Sequence, residues 1–229
     1  MAEAARNRRN AIKKPVNSED MIQQRFIEYS QRFAWDNKVH IWLSGSFLKG
    51  SYTKYSDVDL AVKTDDAALV KKYIYGFVCA PVYIGRTERP NGILIVIYGG
   101  GLSLDLEIVD RVKCIAEDPD SGYFHLQDIK SCDYIRNERI FEKLILNDRD
   151  SYRISRLFHR SLIKLLSGKV DLACSILNEI EDFFEMEHSE IKDKFQFKCR
   201  IVELLKSFKE HYFIEDSYCN ELYRLLNEL

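Results

Sequence analysis

The sequence predicts an α+β fold, in which a mixed sheet flanked by helices precedes a C-terminal helical bundle. Runs rich in β-branched and aromatic residues, which are typical of strands, are confined to the first part of the chain. Beyond about residue 150 the apolar residues recur at helical spacing. This change of period predicts three segments: a flexible basic arm over 1–17, a sheet-containing domain over 18–148 and a helical domain over 149–229.

The first domain is predicted to begin with a helix and to continue with short strands. The helix begins at Ser18, whose hydroxyl can cap it, and ends at Asp36-Asn37-Lys38. The later elements are strands over 39–43 and 58–62, a helix over 65–77 and an edge strand over 81–84 that starts with a proline. Two further runs, 93–98 and 102–109, are joined by three glycines and predict an antiparallel hairpin.

The second domain is predicted to contain four short helices. Four successive stretches carry apolar residues at spacings of three and four, and Gly168 separates the first stretch from the second. Helices of this kind bury their apolar faces against one another, so a small bundle is expected.

Charge and cysteine content restrict the class of protein. The 34 basic and 36 acidic residues give a formal net charge of -2, unlike a protein dominated by contacts to a nucleic-acid backbone. Six cysteines without a Cys-x-x-Cys pair are expected to be reduced, which favours a cytoplasmic location. The basic N-terminal arm is not followed by an apolar run, so neither a signal peptide nor a membrane-spanning helix is predicted.

A glycine- and serine-containing turn directly follows the strand predicted over 39–43. Gly45 and Ser46 open this turn, and Lys49 and Ser51 follow within it. A turn that starts a short helix presents free backbone N–H groups and a hydroxyl, which suit phosphate groups, and Lys49 adds positive charge. These four residues are therefore candidates for binding a triphosphate.

Two carboxylate pairs are predicted on strands. Asp57 and Asp59 flank Val58, so both project from one face of their strand, and their repulsion indicates a hard divalent cation, preferably Mg²⁺. A two-metal phosphoryl-transfer site needs a further carboxylate. Asp105 and Glu107 lie on one face of the second hairpin strand and can supply it. Alternatively, they face solvent on a one-sided sheet.

Gly45-Ser46, the Asp57-x-Asp59 pair and the apolar-flanked Asp105 together resemble the signature of the polymerase-β-like nucleotidyltransferase superfamily, over roughly residues 39–110. The resemblance implies that Asp57, Asp59 and Asp105 hold two Mg²⁺ ions and that the Gly-Ser turn binds the triphosphate. Glu107 is then an alternative metal ligand or a general base.

A catalytic domain followed by a small helical bundle is also similar to the aminoglycoside and lincosamide nucleotidyltransferases. This layout implies transfer of AMP from ATP to a hydroxyl of a small molecule, with release of pyrophosphate, and so a role in antibiotic resistance. The alternatives are an RNA-directed enzyme, a synthase of a nucleotide second messenger, or a non-catalytic, antitoxin-type module that keeps the fold.

An acidic run in the helical domain bears on the acceptor. Between residues 171 and 190 there are seven carboxylates and neither a lysine nor an arginine. If Glu179, Glu181 or Asp182 lines the acceptor side, a cationic acceptor is favoured over nucleic acid, and no membrane is expected as a partner. The alternative is a solvated helix face. The sequence leaves the oligomeric state open.

Overall fold

The computed structural model of the protein describes residues 21–87, 93–113, 122–144 and 149–229. The predicted basic arm and the helix start at Ser18 lie outside these residues. The first described helix, α1 (Ile22–Asn37), ends as predicted, because Lys38 adopts a left-handed conformation with φ 52°.

Within the described residues, seven strands form one mixed sheet, as predicted. They are β1 (Ile41–Leu43), β2 (Val58–Lys63), β3 (Pro81–Arg86), β4 (Leu94–Tyr98), β5 (Leu102–Val112), β6 (Phe124–His125) and β7 (Tyr134–Arg136). Their order is β3-β4-β5-β2-β1-β6, and β7 pairs with the far end of β5. The β2–β5 and β1–β6 pairs are parallel, whereas the other pairs are antiparallel.

The hairpin and the edge strand are both confirmed. β4 and β5 pair antiparallel, and Gly100 and Gly101 in the connecting turn both have φ 89°, a conformation that glycine adopts without strain. β3, which begins at Pro81, lies at one end of the sheet. The missing N–H of a proline is tolerated at an edge, and this explains its position.

One face of the sheet packs against the helices of the first half. These helices are α1, α3 (Ala67–Tyr75) and α4 (Phe141–Leu144), and the short α2 (Gly45–Lys49) connects β1 to the loop before β2. Leu104, Leu106 and Ile108 of β5 are fully buried in this core. The alternation of β5 therefore directs its odd-numbered residues to the opposite face.

The opposite face is covered at the β3–β4 end by the predicted four-helix bundle. Its helices are α5 (Asp150–Leu166), α6 (Val170–Phe183), α7 (Lys194–His211) and α8 (Asp216–Leu226). Tyr83, Ile95 and Ile97 of the sheet belong to the same buried cluster as the apolar residues of the bundle. The sheet and the bundle thus share one core, and this core positions α5 beside the middle strands.

The cysteines differ in part from expectation. Cys79, Cys174, Cys199 and Cys219 are free, but Cys132 takes part in a disulfide bond, so the prediction that all six are reduced is wrong. This finding weakens the argument from cysteine content for a reducing compartment. No helix in the described part of the chain is long and apolar enough to cross a membrane.

Candidate active site

The candidate site is a cleft of about 650 Å³ between the middle of the sheet and α5. Ser103, Asp105 and Glu107 of β5 line it from the sheet side, because they share the face opposite the buried leucines. Asp57 lines it from the residue just before β2. The cleft lies beside the shared core of the sheet and the bundle, so its walls come from both halves of the described chain.

Asp57 and Asp105 line the cleft, and the strand register places Asp59 beside Asp105, outside the described lining. β2 and β5 are parallel, and Asp59 is the direct partner of Asp105. Asp57 lies two residues before Asp59, and the intervening Val58 is fully buried in the opposite core, as the sequence predicts. The alternative in which Asp105 and Glu107 face solvent is wrong, because both line the cleft and Glu107 is only 6% exposed.

Burial and mutual repulsion disfavour the ionised forms of two of these carboxyls. The pKa of Asp105 is raised to about 8, first by burial and then by the charges of Asp57 and Asp59, while Arg156 and Lys164 partly offset the shift. Burial raises the pKa of Asp59 to about 6, and the charge of Asp57 contributes. A divalent cation would relieve this repulsion, so the electrostatics fit a metal site.

Gly45 brings the Gly-Ser turn directly against Asp59. Its φ is +67°, and a Cβ built at this position would lie 1.8 Å from Oδ2 of Asp59, so a side chain does not fit. The backbone N–H of Ser44 donates to the carbonyl of Asp59 at 2.9 Å, which fixes the end of β1 beside β2. The turn and the aspartates therefore form one rigid arrangement.

The other predicted phosphate-binding residues lie farther from the cleft lining. Ser46 is half-buried in the first turn of α2, whereas Lys49 and Ser51 are exposed at and beyond the end of this helix. None of the three is among the described residues that line the cleft. Their role in phosphate binding remains a prediction.

Glu107 accepts hydrogen bonds from two residues of β7. The Tyr134 hydroxyl donates to Oε2 of Glu107 at 2.8 Å, and Nε of Arg136 donates to the same oxygen at 3.0 Å. The side chain of Glu107 is only 8% exposed, so this ion pair is well shielded. These contacts favour a role for Glu107 in fixing β7 to β5 over the metal-binding or general-base role that the sequence suggests.

Sequence reasoning missed the positive charge of the cleft. Among the described residues, seven cationic side chains and four carboxylates line it. The cations are Arg86, Lys130, Arg136, Arg153, Arg156, Arg160 and Lys164, and the carboxylates are Asp57, Asp105, Glu107 and Glu179. Nζ of Lys164 lies 3.4 Å from Oδ2 of Asp57. The four α5 cations are spaced at three or four residues, and this spacing in the sequence was the signal that could have identified a cationic helix face.

The acidic run does not form the predicted wall. Of Glu179, Glu181 and Asp182, Glu179 lines the cleft, but the other two do not. Glu181 is fully buried and accepts from Nε of Arg200 at 2.7 Å, and Asp182 pairs with His188 on the surface. The prediction that Glu181 or Asp182 faces the acceptor is therefore wrong, because α6 directs both carboxylates to partners in its own bundle.

The donor set fits Mg²⁺ by its chemistry. Asp57, Asp59 and Asp105 offer only carboxylate oxygens, the ligands that Mg²⁺ prefers, and the raised pKa values of Asp59 and Asp105 show that burial and repulsion outweigh the nearby positive charges. As the side chains are placed, no three His, Cys, Asp or Glu residues among those described form a ready-made metal cage. Binding of the ion would therefore be coupled to adjustment of these side chains.

The fold and these residues define a class of protein, one in which carboxylates on neighbouring strands face a Gly-Ser turn. Residues 27–85, which include Gly45, Asp57 and Asp59, match the nucleotidyltransferase domain family. This match supports the resemblance to the polymerase-β-like superfamily and, with it, general nucleotidyl transfer. No curated protein matches the chain.

The raised pKa values predict how the stability of the metal-free protein depends on pH. The native state keeps protons on Asp59 and Asp105 that the unfolded state releases near pH 4, so the free energy of unfolding falls as pH rises from about 4 to about 8. Burial lowers the pKa of His159 to about 4, so the contribution of His159 to the free energy of unfolding rises with pH instead. Urea unfolding in the presence of a chelator at about pH 5 and about pH 8.5, compared between the wild type and Asp105→Asn, isolates the carboxyl contribution. If the free energy of unfolding changes equally with pH in the two proteins, the proposed contribution of Asp105 is contradicted.

Proposed function

We propose that the protein is a nucleotidyltransferase that moves a nucleoside monophosphate from a nucleoside triphosphate to an acceptor hydroxyl, releasing pyrophosphate. The observation that carries this proposal is the pairing of Asp59 with Asp105 on adjacent strands, directly against the Gly45 turn. The match of residues 27–85 to the nucleotidyltransferase domain family supports it. The non-catalytic alternative is disfavoured, because a protein without metal chemistry has no use for mutually repelling buried carboxylates.

Asp57, Asp59 and Asp105 are the proposed ligands of Mg²⁺. When bound, Mg²⁺ supplies positive charge that offsets the triphosphate and polarises the oxygens around the reacting phosphorus. The Gly45-Ser46 turn brings backbone N–H groups close to Asp59, where the phosphates would lie. Lys164, beside Asp57, adds a fixed positive charge to this end of the cleft.

The acceptor hydroxyl must lose a proton during transfer. Asp105 is the better candidate to receive it, because it lines the cleft and no described residue donates a hydrogen bond to its carboxylate. Glu107, the other carboxylate of β5 in the cleft, is occupied by Tyr134 and Arg136.

The choice of ATP as donor and of a small antibiotic-like acceptor rests on the layout of the chain. A cationic acceptor depends on the acidic run, and the structure removes most of that run from the cleft. A hydroxyl-bearing acceptor is therefore retained in the proposal, and cationic character is not.

Binding of triphosphate and Mg²⁺ provides a direct test. We expect the two ligands together to raise the melting temperature by more than the sum of their separate effects, because each completes the site of the other. At a triphosphate concentration of about 100 Kd the shift should be about 5–10 °C. Binding of each of the four common triphosphates is compared by thermal denaturation. Transfer itself is measured by pyrophosphate release and by mass spectrometry of acceptor mixtures.

Asp59→Asn serves as the matched control, because it keeps the size of the side chain and removes one proposed ligand. The cooperative part of the shift should disappear in this variant. Strictly additive shifts in the wild type would indicate separate sites and would contradict the proposed function.

A further inference from the structure

The four cations of α5 form a stripe that extends beyond the proposed metal site. Arg153, Arg156, Arg160 and Lys164 all line the cleft and are half-buried. The stripe extends over twelve residues, or about 16 Å of helix. Lys164 lies at Asp57, whereas the first turn of α5 lies at the edge strand, where the Tyr152 hydroxyl donates to the carbonyl of Ile84 at 3.0 Å. The stripe therefore leads from the metal site to the edge of the sheet.

The middle of this stripe lacks ion-pair partners within the described chain. Like charges three and four residues apart on a helix destabilise it. Lys164 pairs with Asp57 and Arg153 pairs with Asp150, but no described residue forms an ion pair with Arg156 or Arg160. The half-buried Arg156 and Arg160 are therefore best explained by an anionic ligand that occupies the cleft.

The triphosphate and its metal ions do not use up this charge. Two Mg²⁺ ions carry as much positive charge as a triphosphate carries negative charge, so the loaded donor is close to neutral. With Asp59 added, the described residues at the cleft comprise seven cations and five carboxylates. Arg156 and Arg160 therefore still lack an ion-pair partner among the described residues after the donor is bound.

The lining next to the stripe is apolar. Ile93 of the sheet side and Ile154 of α5 line the cleft and are partly exposed, whereas Ile95, Ile97 and Leu157 in the same lining are buried. An apolar surface interleaved with arginines suits a nucleobase with its attached phosphate, since the ring packs on the aliphatic side chains while the guanidinium groups pair with phosphate oxygens.

We infer that the acceptor of this enzyme carries phosphate groups, which lie along Arg153, Arg156 and Arg160 while its hydroxyl reaches the aspartates. The inference rests on the proposed function. Two kinds of molecule carry phosphate in this way, namely the end of a single-stranded polynucleotide and a free nucleotide. A phosphate-bearing acceptor is the opposite of the cationic small molecule expected from the sequence, because this cleft would repel a polycation.

The test uses the full chain with Mg²⁺ and a non-hydrolysable triphosphate. A labelled single-stranded RNA of about six nucleotides is titrated by fluorescence anisotropy, and AMP and an aminoglycoside are titrated by calorimetry, each at low and moderate salt. Saturable binding that weakens with salt is expected for the RNA or for AMP, and which of the two binds identifies the source. Transfer of a labelled nucleotide to the bound molecule is followed by mass spectrometry.

The variant Arg153→Gln/Arg160→Gln removes two charges from the stripe. It should weaken binding of the phosphate-bearing molecule at least about tenfold, and for RNA it should reduce the salt slope by about 1.4. The matched control is Arg25→Gln/Arg32→Gln, which removes two exposed arginines from α1 on the other side of the sheet and should leave this binding unchanged.

Failure of the inference and failure of the proposed function give different results. Triphosphate binding without binding of RNA or AMP, or binding of the aminoglycoside alone, would overturn the inference and leave the proposed function standing. Equal effects of the two double variants would also overturn it. Absence of triphosphate binding in the wild type would count against the proposed function itself.

Discussion

Replacing Asp105 with Asn is expected to reduce nucleotidyl transfer by about 10³-fold or more, while the metal-free protein becomes more stable at alkaline pH. Asp105 is the direct partner of Asp59 and is the more strongly perturbed of the two, so its loss removes a ligand from the centre of the proposed metal site. The gain in stability follows because the neutral amide escapes the burial and repulsion that raise the pKa of the carboxyl. Steady-state transfer and urea unfolding measure the two effects.

Asp110→Asn is the matched control, since Asp110 lies on the same strand but is exposed. It should change neither transfer nor the pH dependence of unfolding.

Asp57→Asn should also abolish transfer, but without the gain in stability, because Asp57 pairs with Lys164. Transfer by Asp105→Asn within tenfold of the wild type would refute the metal-site assignment.

Replacing Gly45 with Ala is expected to abolish transfer and to destabilise the protein by roughly 2 kcal/mol or more. The added Cβ would lie 1.8 Å from Oδ2 and 2.5 Å from Cγ of Asp59, so this side chain must leave its position. The left-handed φ of +67° adds backbone strain. Transfer kinetics and urea unfolding, with and without Mg²⁺, follow the two consequences.

Gly50→Ala separates the strain from the clash. Gly50 has φ +69°, nearly the same as Gly45, but a Cβ there would meet nothing within 4 Å. This variant should therefore lose about 1 kcal/mol of stability and keep its transfer activity. If both alanine variants are equally active, the contact between the Gly-Ser turn and Asp59 has no catalytic importance.

Local pattern was sufficient to predict the elements that bear the candidate site. The alternation of Asp57, Val58 and Asp59 predicted a shared carboxylate face, and the three glycines after Tyr98 predicted the hairpin that carries Asp105. Both depend on the two-residue period of strands, which is a property of the chain itself. The mixed sheet and the four-helix bundle were predicted on the same basis and are confirmed.

Contacts between distant segments could not be predicted in this way. The parallel register that places Asp59 beside Asp105, the Arg136–Glu107 pair and the approach of Lys164 to Asp57 all join residues far apart in sequence. The predicted acidic wall at the acceptor side was wrong for the same reason, since it depended on contacts between distant segments. Local charge alone did not reveal that Glu181 turns inward to Arg200. Which face of a helix meets which face of a sheet depends on packing of the whole core.

The core shared by the sheet and the bundle limits how such a protein can change its substrate during evolution. Tyr83, Ile95 and Ile97 pack among the apolar residues of the bundle, and α5 contributes both to this core and to the cleft. Replacing the bundle with one that prefers another acceptor would also expose the apolar side chains of β3 and β4 to solvent. New specificity is therefore more accessible through replacements on the cleft-facing side of α5, where charge can vary without opening the core, than through recombination of whole modules.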